Sequence, residues 1–432
     1  MSDQPVPADV KSAAPGDSAP ETGSAAPASS EPGAKGEAGP KSGEVAPAPE
    51  VKEGSASPAG TQPSAEPSRA AEAKETAQKD VPSEKVQEKD PGAVVVKLPE
   101  AELLTEAQQK LLAGLQGRYE GLQKELEQAI VGQREVVESI LMTVFCGGHA
   151  LITGVPGLAK TLMIRSLAKA LDVSFSRIQF TPDLMPSDIT GTDILEEDPV
   201  TGKRKVEFLR GPVFANLVLA DEINRTPPKT QAALLQTMQE HQVTVGVKTY
   251  DLPEPFHVFA TQNPIDQEGT YVLPEAQADR FMFSITCGYP SPEEEEAIVR
   301  CTTGNRAPEL KPVLTGGEIL EIQKIVRAMP VSDEVVRYAV KLVGATRPER
   351  ADAPKLIRDF VRFGAGPRAS QFLVLGAKAR AALTGKACAE IEGVRFVAKR
   401  VLSHRLILNF SARASRVSVD TVLDEILKQV KG

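Results

Sequence analysis

The chain has 432 residues and a formal net charge of −8, enough length for two or three domains. Residues 1–90 carry 16 acidic and 9 basic residues, a net of −7, so the remainder is close to neutral. A near-neutral remainder argues against a partner in nucleic acid, and the absence of both a basic-then-apolar leader and an apolar run of roughly 18 residues argues against stable membrane insertion, so the sequence reads as cytoplasmic.

Up to about Val94 the chain has no Phe, Tyr, Trp, Leu or Ile, and Ala, Pro, Glu, Ser, Gly and Lys dominate. Such a segment buries too little apolar area to offset the entropy of ordering, so residues 1–94 are expected to form a disordered tail. From Pro99 to Gln128 leucines recur at helical spacing, with Gly114 or Gly117 offering a break. Ile130, Val131 and Gly132 end that run, and a second helix is expected through Val144. Short apolar runs then alternate with helical patterns: His149–Thr153, Leu217–Ala220, Val258–Ala260 and Phe281–Ile285 read as strands, and Lys160–Leu171 and Lys229–Glu240 as helices. Strands this apolar predict a parallel sheet covered on both faces. Two hairpins are expected, at Thr192–Val206 and Gln242–Leu252. Ser291, Pro292 and four glutamates form a helix start, and the pattern is mostly helical from there. A domain boundary falls near Tyr289 and Pro290, giving residues 95–290 as a core with an N-terminal helix and 291–432 as a helical lid.

Cys146, Cys287, Cys301 and Cys388 form no C-x-x-C pair, which argues against zinc and a disulfide framework and for buried thiols.

The chemistry sits at the strand ends. Gly154, Val155, Pro156, Gly157, Leu158, Ala159, Lys160 and Thr161 follow one apolar run and open a helix. Small residues there let backbone N–H groups approach the phosphates of a nucleotide. Lys160 reaches the phosphates, and the Thr161 hydroxyl would bind Mg²⁺. Ala159 stands where a glycine is usual, which demands a negative φ. Asp221 and Glu222 end the next apolar run. Asp221 would hold Mg²⁺ through its water shell, and Glu222 would orient the attacking water. Asn263 follows another strand and could bond that water or the γ-phosphate. Arg280 and Arg368 could each approach a γ-phosphate, in cis or in trans, or serve only as salt-bridge partners.

Read in order, GVPGLAKT, LADEINRTPPKTQAALLQTMQE, FATQNP, LPEAQADRF and GPRAS resemble the MoxR family of AAA+ ATPases, over roughly residues 99–432. The resemblance implies an α/β P-loop NTPase fold, an αβα sandwich with a parallel sheet, followed by an all-α lid. It implies that Ile130, Val131 and Gly132 cradle adenine, that residues 154–161 are Walker A, and that Asp221 and Glu222 are Walker B. Asn263 would be sensor 1, Arg280 the arginine acting on a neighbour's ATP, and Arg368 sensor 2. The hairpins at about 184–210 and 242–252 would contact clients. The implied protein is an oligomeric, hexameric ATPase using ATP and Mg²⁺ to remodel or mature client proteins, often beside a von Willebrand factor A-domain partner. The other reading is a nucleotide-gated scaffold with little turnover, and Arg225 is the other candidate for the trans role.

Overall fold

The computed structural model describes residues 106–197, 204–264, 270–304 and 309–431. The expected disordered tail lies outside them, as do residues 198–203 of the first expected hairpin. Helix α1, Glu106–Glu127, runs unbroken through Gly114 and Gly117, against the expected break. Each glycine in a helix costs about 0.5–1 kcal/mol relative to alanine. The stripe of Leu115, Leu122 and Leu126 is fully or almost fully buried, and each such burial contributes about 1.5–3 kcal/mol. Burial wins, and the glycines face open space.

Helix α2, Arg134–Phe145, leads to strand β1, Ala150–Gly154. Then come α3 (Lys160–Ala170), β2 (Phe175–Gln179), α4 (Pro186–Thr190) and the hairpin β3 (Gly191–Glu197) and β4 (Arg204–Arg210). Strand β5 (Leu217–Asp221), α5 (Pro228–Glu240), the hairpin β6 (Gln242–Val245) and β7 (Lys248–Asp251), β8 (His257–Gln262), α6 (Glu275–Ala278) and β9 (Phe283–Cys287) complete the α/β part. The five strands β2-β5-β8-β1-β9 lie in that order and pair in parallel throughout.

Successive side chains on a strand point to opposite faces, and this sheet sorts them into two cores. Ala150 and Ile152, Leu217 and Leu219, and Phe259 face one apolar cluster with α1, α2 and α3. Leu151, Val218, Ala220, Val258 and Ala260 face another with Ile189 of α4 and Leu234, Leu235 and Met238 of α5. The expected parallel sheet, covered on both faces, is therefore borne out. Strand β2 was not expected. Its sequence, FSRIQ, has a single fully buried residue, Ile178, because β2 is a sheet edge.

After β9 the chain is helical: α7 (Pro292–Thr302), α8 (Gly316–Ala328), α9 (Asp333–Gly344), α10 (Lys355–Phe360), α11 (Pro367–Leu383), α12 (Ile391–Leu402), α13 (Phe410–Ala414) and α14 (Val419–Gln429). Two short strands, β10 (Val361–Phe363) and β11 (Ile407–Leu408), pair within this region. Ser291 caps α7 as expected, accepting from the Glu294 N–H at 3.2 Å while Glu294 accepts from the Ser291 N–H at 2.9 Å. The first apolar cluster runs on without interruption from the sheet into α8, α9, α11 and α12. Of the cysteines, Cys146 and Cys287 are buried, but Cys301 and Cys388 are exposed, which corrects the expectation of buried thiols.

Both hairpins form. Gly246, at φ 59°, makes the tight turn of the second, where positive φ costs glycine little. The Phe208 ring of β4 stacks on Tyr250 of β7, with centroids 4.2 Å apart and planes 18° from parallel. Leu195, Val206 and Leu209 on the first hairpin, and Val247 on the second at 98% exposure, face solvent.

Candidate nucleotide site

Strand register gathers the site. Gly154 pairs with Cys287, Thr153 with Gln262, and Gln179 with Asp221, so the C-terminal ends of all five strands share one edge. In an open parallel sheet this edge is where ligands bind. A Cβ on Gly154 would come within 2.8 Å of the Cys287 Cβ, so the loop can start there only with glycine.

The loop from Gly154 to Thr161 opens α3. Gly157 takes φ 87° and Ala159 takes φ 54°. The expectation of a negative φ at Ala159 is thus overturned. A left-handed alanine costs roughly 1–2 kcal/mol, a strain of the kind tolerated where a loop must present its amides. Lys160 Nζ donates to the Gly154 carbonyl at 2.5 Å, which holds the ammonium over the loop. Burial pushes the Cys287 thiol up to about 11, against the pull of the nearby Lys160 charge.

A cavity of about 600 Å³ opens beside this loop. Ile130 and Val131 line it together with Gly157, Leu158 and Ala159, and Ile298 of α7 closes the far wall. Gly132, at φ 68°, lies against α7, where a Cβ would collide with the Glu294 side chain at 2.2 Å. Two of the three residues expected at the base and three of the eight expected at the phosphates thus line one cavity, while Gly132 lines a smaller neighbouring pocket. A groove of about 660 Å³ on the lid helices, between Arg327 and Lys378, contains none of them.

The acidic pair ends β5. Asp221 is buried, and both its oxygens are engaged. Oδ1 accepts from the Thr261 hydroxyl at 2.6 Å, and Oδ2 accepts from Arg177 Nη2 at 2.7 Å and Nε at 3.0 Å. Glu222 takes the left-handed conformation, φ 59°, which turns its side chain away from the strand. Its Oε2 accepts from Gln179 Nε2 at 3.0 Å and from Arg225 Nη1 at 3.1 Å. Its amide donates to the Thr261 hydroxyl at 2.8 Å. Asn263, buried, follows the end of β8 on the same edge. Arg177 and Gln179 were missed in the sequence because both lie in β2, whose pattern gave no strand signal.

Arg280 and Arg368 lie elsewhere. Ala150, at the start of β1, pairs with Phe283, at the start of β9. Phe283 is four residues before Cys287 and thus about 13 Å from the Gly154 edge, and Arg280 precedes it. Arg280 Nη1 donates to the Leu235 carbonyl at 2.8 Å. Arg368, at the start of α11, pairs with Asp279 at 2.8 Å. Arg368 thus has the salt-bridge partner that the sequence left open, and Asp279 holds Arg405 as well.

Among the described residues no cluster of three His, Cys, Asp or Glu could hold a metal ion. Magnesium does not need one: it takes one or two protein oxygens and keeps waters and phosphate oxygens. The Thr161 hydroxyl and the Asp221 carboxylate are oxygen donors of that type, and in this structure the Asp221 oxygens bond Thr261 and Arg177.

Residues 149–283 match the ATPase family associated with various cellular activities (AAA), and residues 354–426 match the AAA lid domain. The chain is 44% identical over 306 residues to Chaperone MoxR1 of Mycobacterium tuberculosis, covering 71% of this chain and 80% of that protein. It belongs to the MoxR family of AAA+ ATPases. Similarity to Protein MoxR of Paracoccus denitrificans is 31% identity, over 68% of this chain and 89% of that one. The crystal structure of a protein of Cytophaga hutchinsonii described as a candidate ATPase has 39% identity and a TM-score of 0.70, covering 75% of this chain and 98% of that chain. As a MoxR-type ATPase the chain has the expected αβα core and helical lid. Among the described residues no helix is long and apolar enough to cross a membrane.

Proposed function

We propose that this MoxR-family chain hydrolyses ATP to ADP and phosphate within a closed ring of subunits, a hexamer, and spends that energy on remodelling or maturing a client protein. The observation that carries the reading is the placing of Glu222. Its carboxylate is oriented by Gln179 and Arg225 on the same sheet edge as the phosphate loop, where it can orient a water for in-line attack.

The roles divide as follows. Ile130, Val131 and Gly132 hold adenine, and residues 154–161 wrap the phosphates with Lys160 as counter-charge. Thr161, and Asp221 through water, would hold Mg²⁺, which would supply neutralisation of the phosphate charge. Asn263 senses the γ-phosphate. Arg280 and Arg368, at the far end of the sheet from their own phosphate loop, act on the nucleotide of a neighbouring subunit. Such head-to-tail contact closes into a ring when the rotation permits. Residues 95–290 work as the nucleotide core and 291–432 as the lid.

The exposed Leu195, Val206, Leu209 and Val247 of the two hairpins suit contact with a client, in a cytoplasmic setting and beside a von Willebrand factor A-domain partner. The name of the relative Chaperone MoxR1 supports the chaperone reading. One observation favours the second reading, a nucleotide-gated scaffold with little turnover: both Asp221 oxygens are already engaged, one of them by Arg177.

Steady-state ATP hydrolysis against protein concentration, for the native chain and Glu222→Gln, separates the two. Activity that rises cooperatively with concentration and vanishes in the variant supports the ring ATPase. Tight Mg-ATP binding with no hydrolysis above the variant supports the scaffold.

A further inference from the structure

We propose that Asp279 is a positioning residue that couples Arg280 and Arg368 into one unit, with Arg405 as its permanent anchor. This rests on the reading above that both arginines act on a neighbouring subunit.

Asp279 stands between two guanidinium groups of different character. Oδ2 accepts from Arg368 Nη1 and Oδ1 from Arg405 Nε, each at 2.8 Å. The Arg405 side chain is 2% exposed, and that of Arg368 is 42% exposed. Arg405 also gathers the backbone around Arg280: Nη2 donates to the carbonyls of Asp279 at 2.8 Å and Phe281 at 2.6 Å, and Nη1 to that of Met282 at 3.3 Å. Arg280 therefore sits in a loop whose flanking carbonyls are pinned by one buried guanidinium, and its own Nη1 is tied to Leu235.

The two ion pairs differ in strength. A pair exposed on one side contributes little. Breaking a pair with a buried guanidinium leaves an uncompensated charge and costs far more. Arg368 can thus leave Asp279 for a phosphate at small cost, while Arg405 stays. The carboxylate is never without a partner, and the loop bearing Arg280 keeps its shape while Arg368 moves. No other carboxylate joins these three arginines among the described ion pairs.

Trans-complementation tests this. Asp279→Asn keeps the volume and removes the charge. Alone, it is expected to hydrolyse ATP at least about tenfold more slowly, since a catalytic group displaced by about 1 Å can cost about a hundredfold. Glu222→Gln lacks the water-orienting carboxylate but keeps the arginine loop. Mixed in equal amounts, the two are expected to exceed the sum of their separate rates severalfold. The intact Glu222 of one subunit is then served by the intact loop of its neighbour. A subunit that is merely misfolded gains nothing from mixing. Arg405→Lys, the second variant, is expected to need the same partner. Full activity of Asp279→Asn alone overturns the proposal. So does complementation by Arg280→Ala with Glu222→Gln when neither Asp279→Asn nor Arg405→Lys complements, and that outcome leaves the trans reading standing. No complementation by any pair removes the trans reading and this proposal together.

Discussion

Gln179 donates through Nε2 to Glu222 Oε2 at 3.0 Å, joining the end of the edge strand β2 to the end of β5. This bond and the Arg225 ion pair both fall on Oε2 of the carboxylate. Gln179→Leu is expected to keep ATP affinity and lower the hydrolysis rate about tenfold, the cost of roughly 1.4 kcal/mol of lost preorganisation. Nucleotide titration and a steady-state phosphate assay on the same preparation check both halves. An unchanged rate would mean that Arg225 alone orients Glu222.

Lys160 is the cation at the mouth of the loop. Lys160→Ala leaves the phosphates without that counter-charge and is expected to weaken ATP binding at least about a hundredfold, about 2.7 kcal/mol, in line with loss of a charge-assisted contact. Calorimetric titration with a slowly hydrolysed ATP analogue measures it. Unchanged affinity would refute the phosphate site.

Ala159 is left-handed at φ 54°. Ala159→Gly removes the Cβ penalty but gives the unfolded chain more freedom. The penalty of about 1–2 kcal/mol outweighs the entropic cost of about 0.4–1 kcal/mol, so the variant is expected to be more stable by up to about 1.6 kcal/mol. The urea midpoint with an unchanged m-value is the readout.

Two buried histidines make stability depend on pH. His149 accepts from the Val258 N–H at 3.0 Å and is held near 3 by burial, with the neighbouring His257 adding to the effect. His257 is held near 4 by burial. In the unfolded chain both titrate near 6.5. Above that value both states are neutral and the two groups contribute nothing to the slope. As pH falls from 6.5 towards 4 the unfolded state takes up protons first, and stability falls. Near pH 5 the slope from these two groups alone approaches about 2.7 kcal/mol per pH unit. Unfolding free energies at pH 7.5, 6 and 5 check the sign. A flat profile would mean that the imidazoles reach water.

The sequence made the centre of this protein plain and its edge obscure. Strands β1, β5 and β8 are buried on both faces, so they appear as runs such as LVLA, and the acids and glycines at their ends stand out by contrast. Strand β2 packs one fully buried residue, Ile178, and its remaining side chains are partly exposed or exposed, so FSRIQ carries no such contrast. With β2 went Arg177 and Gln179, which touch both acids of the site. The φ of Ala159 was misjudged for another reason: side-chain chemistry sets the average preference, but the loop's need to aim its amides sets the actual value. The pairing of Arg368 with Asp279 spans 89 residues and has no local signature.

The Phe208–Tyr250 stack has a mechanical consequence. It bolts a long hairpin to a short one that leads straight into β8, the strand that ends beside Asn263. Two free hairpins would swing separately, and a load on one tip would be lost in its own bending. Bolted, they form a single lever with one angle. A pull at Leu195 or Val206 would pass through this stack to the chain that leads into β8, and a shift of β8 would pass back to the tips.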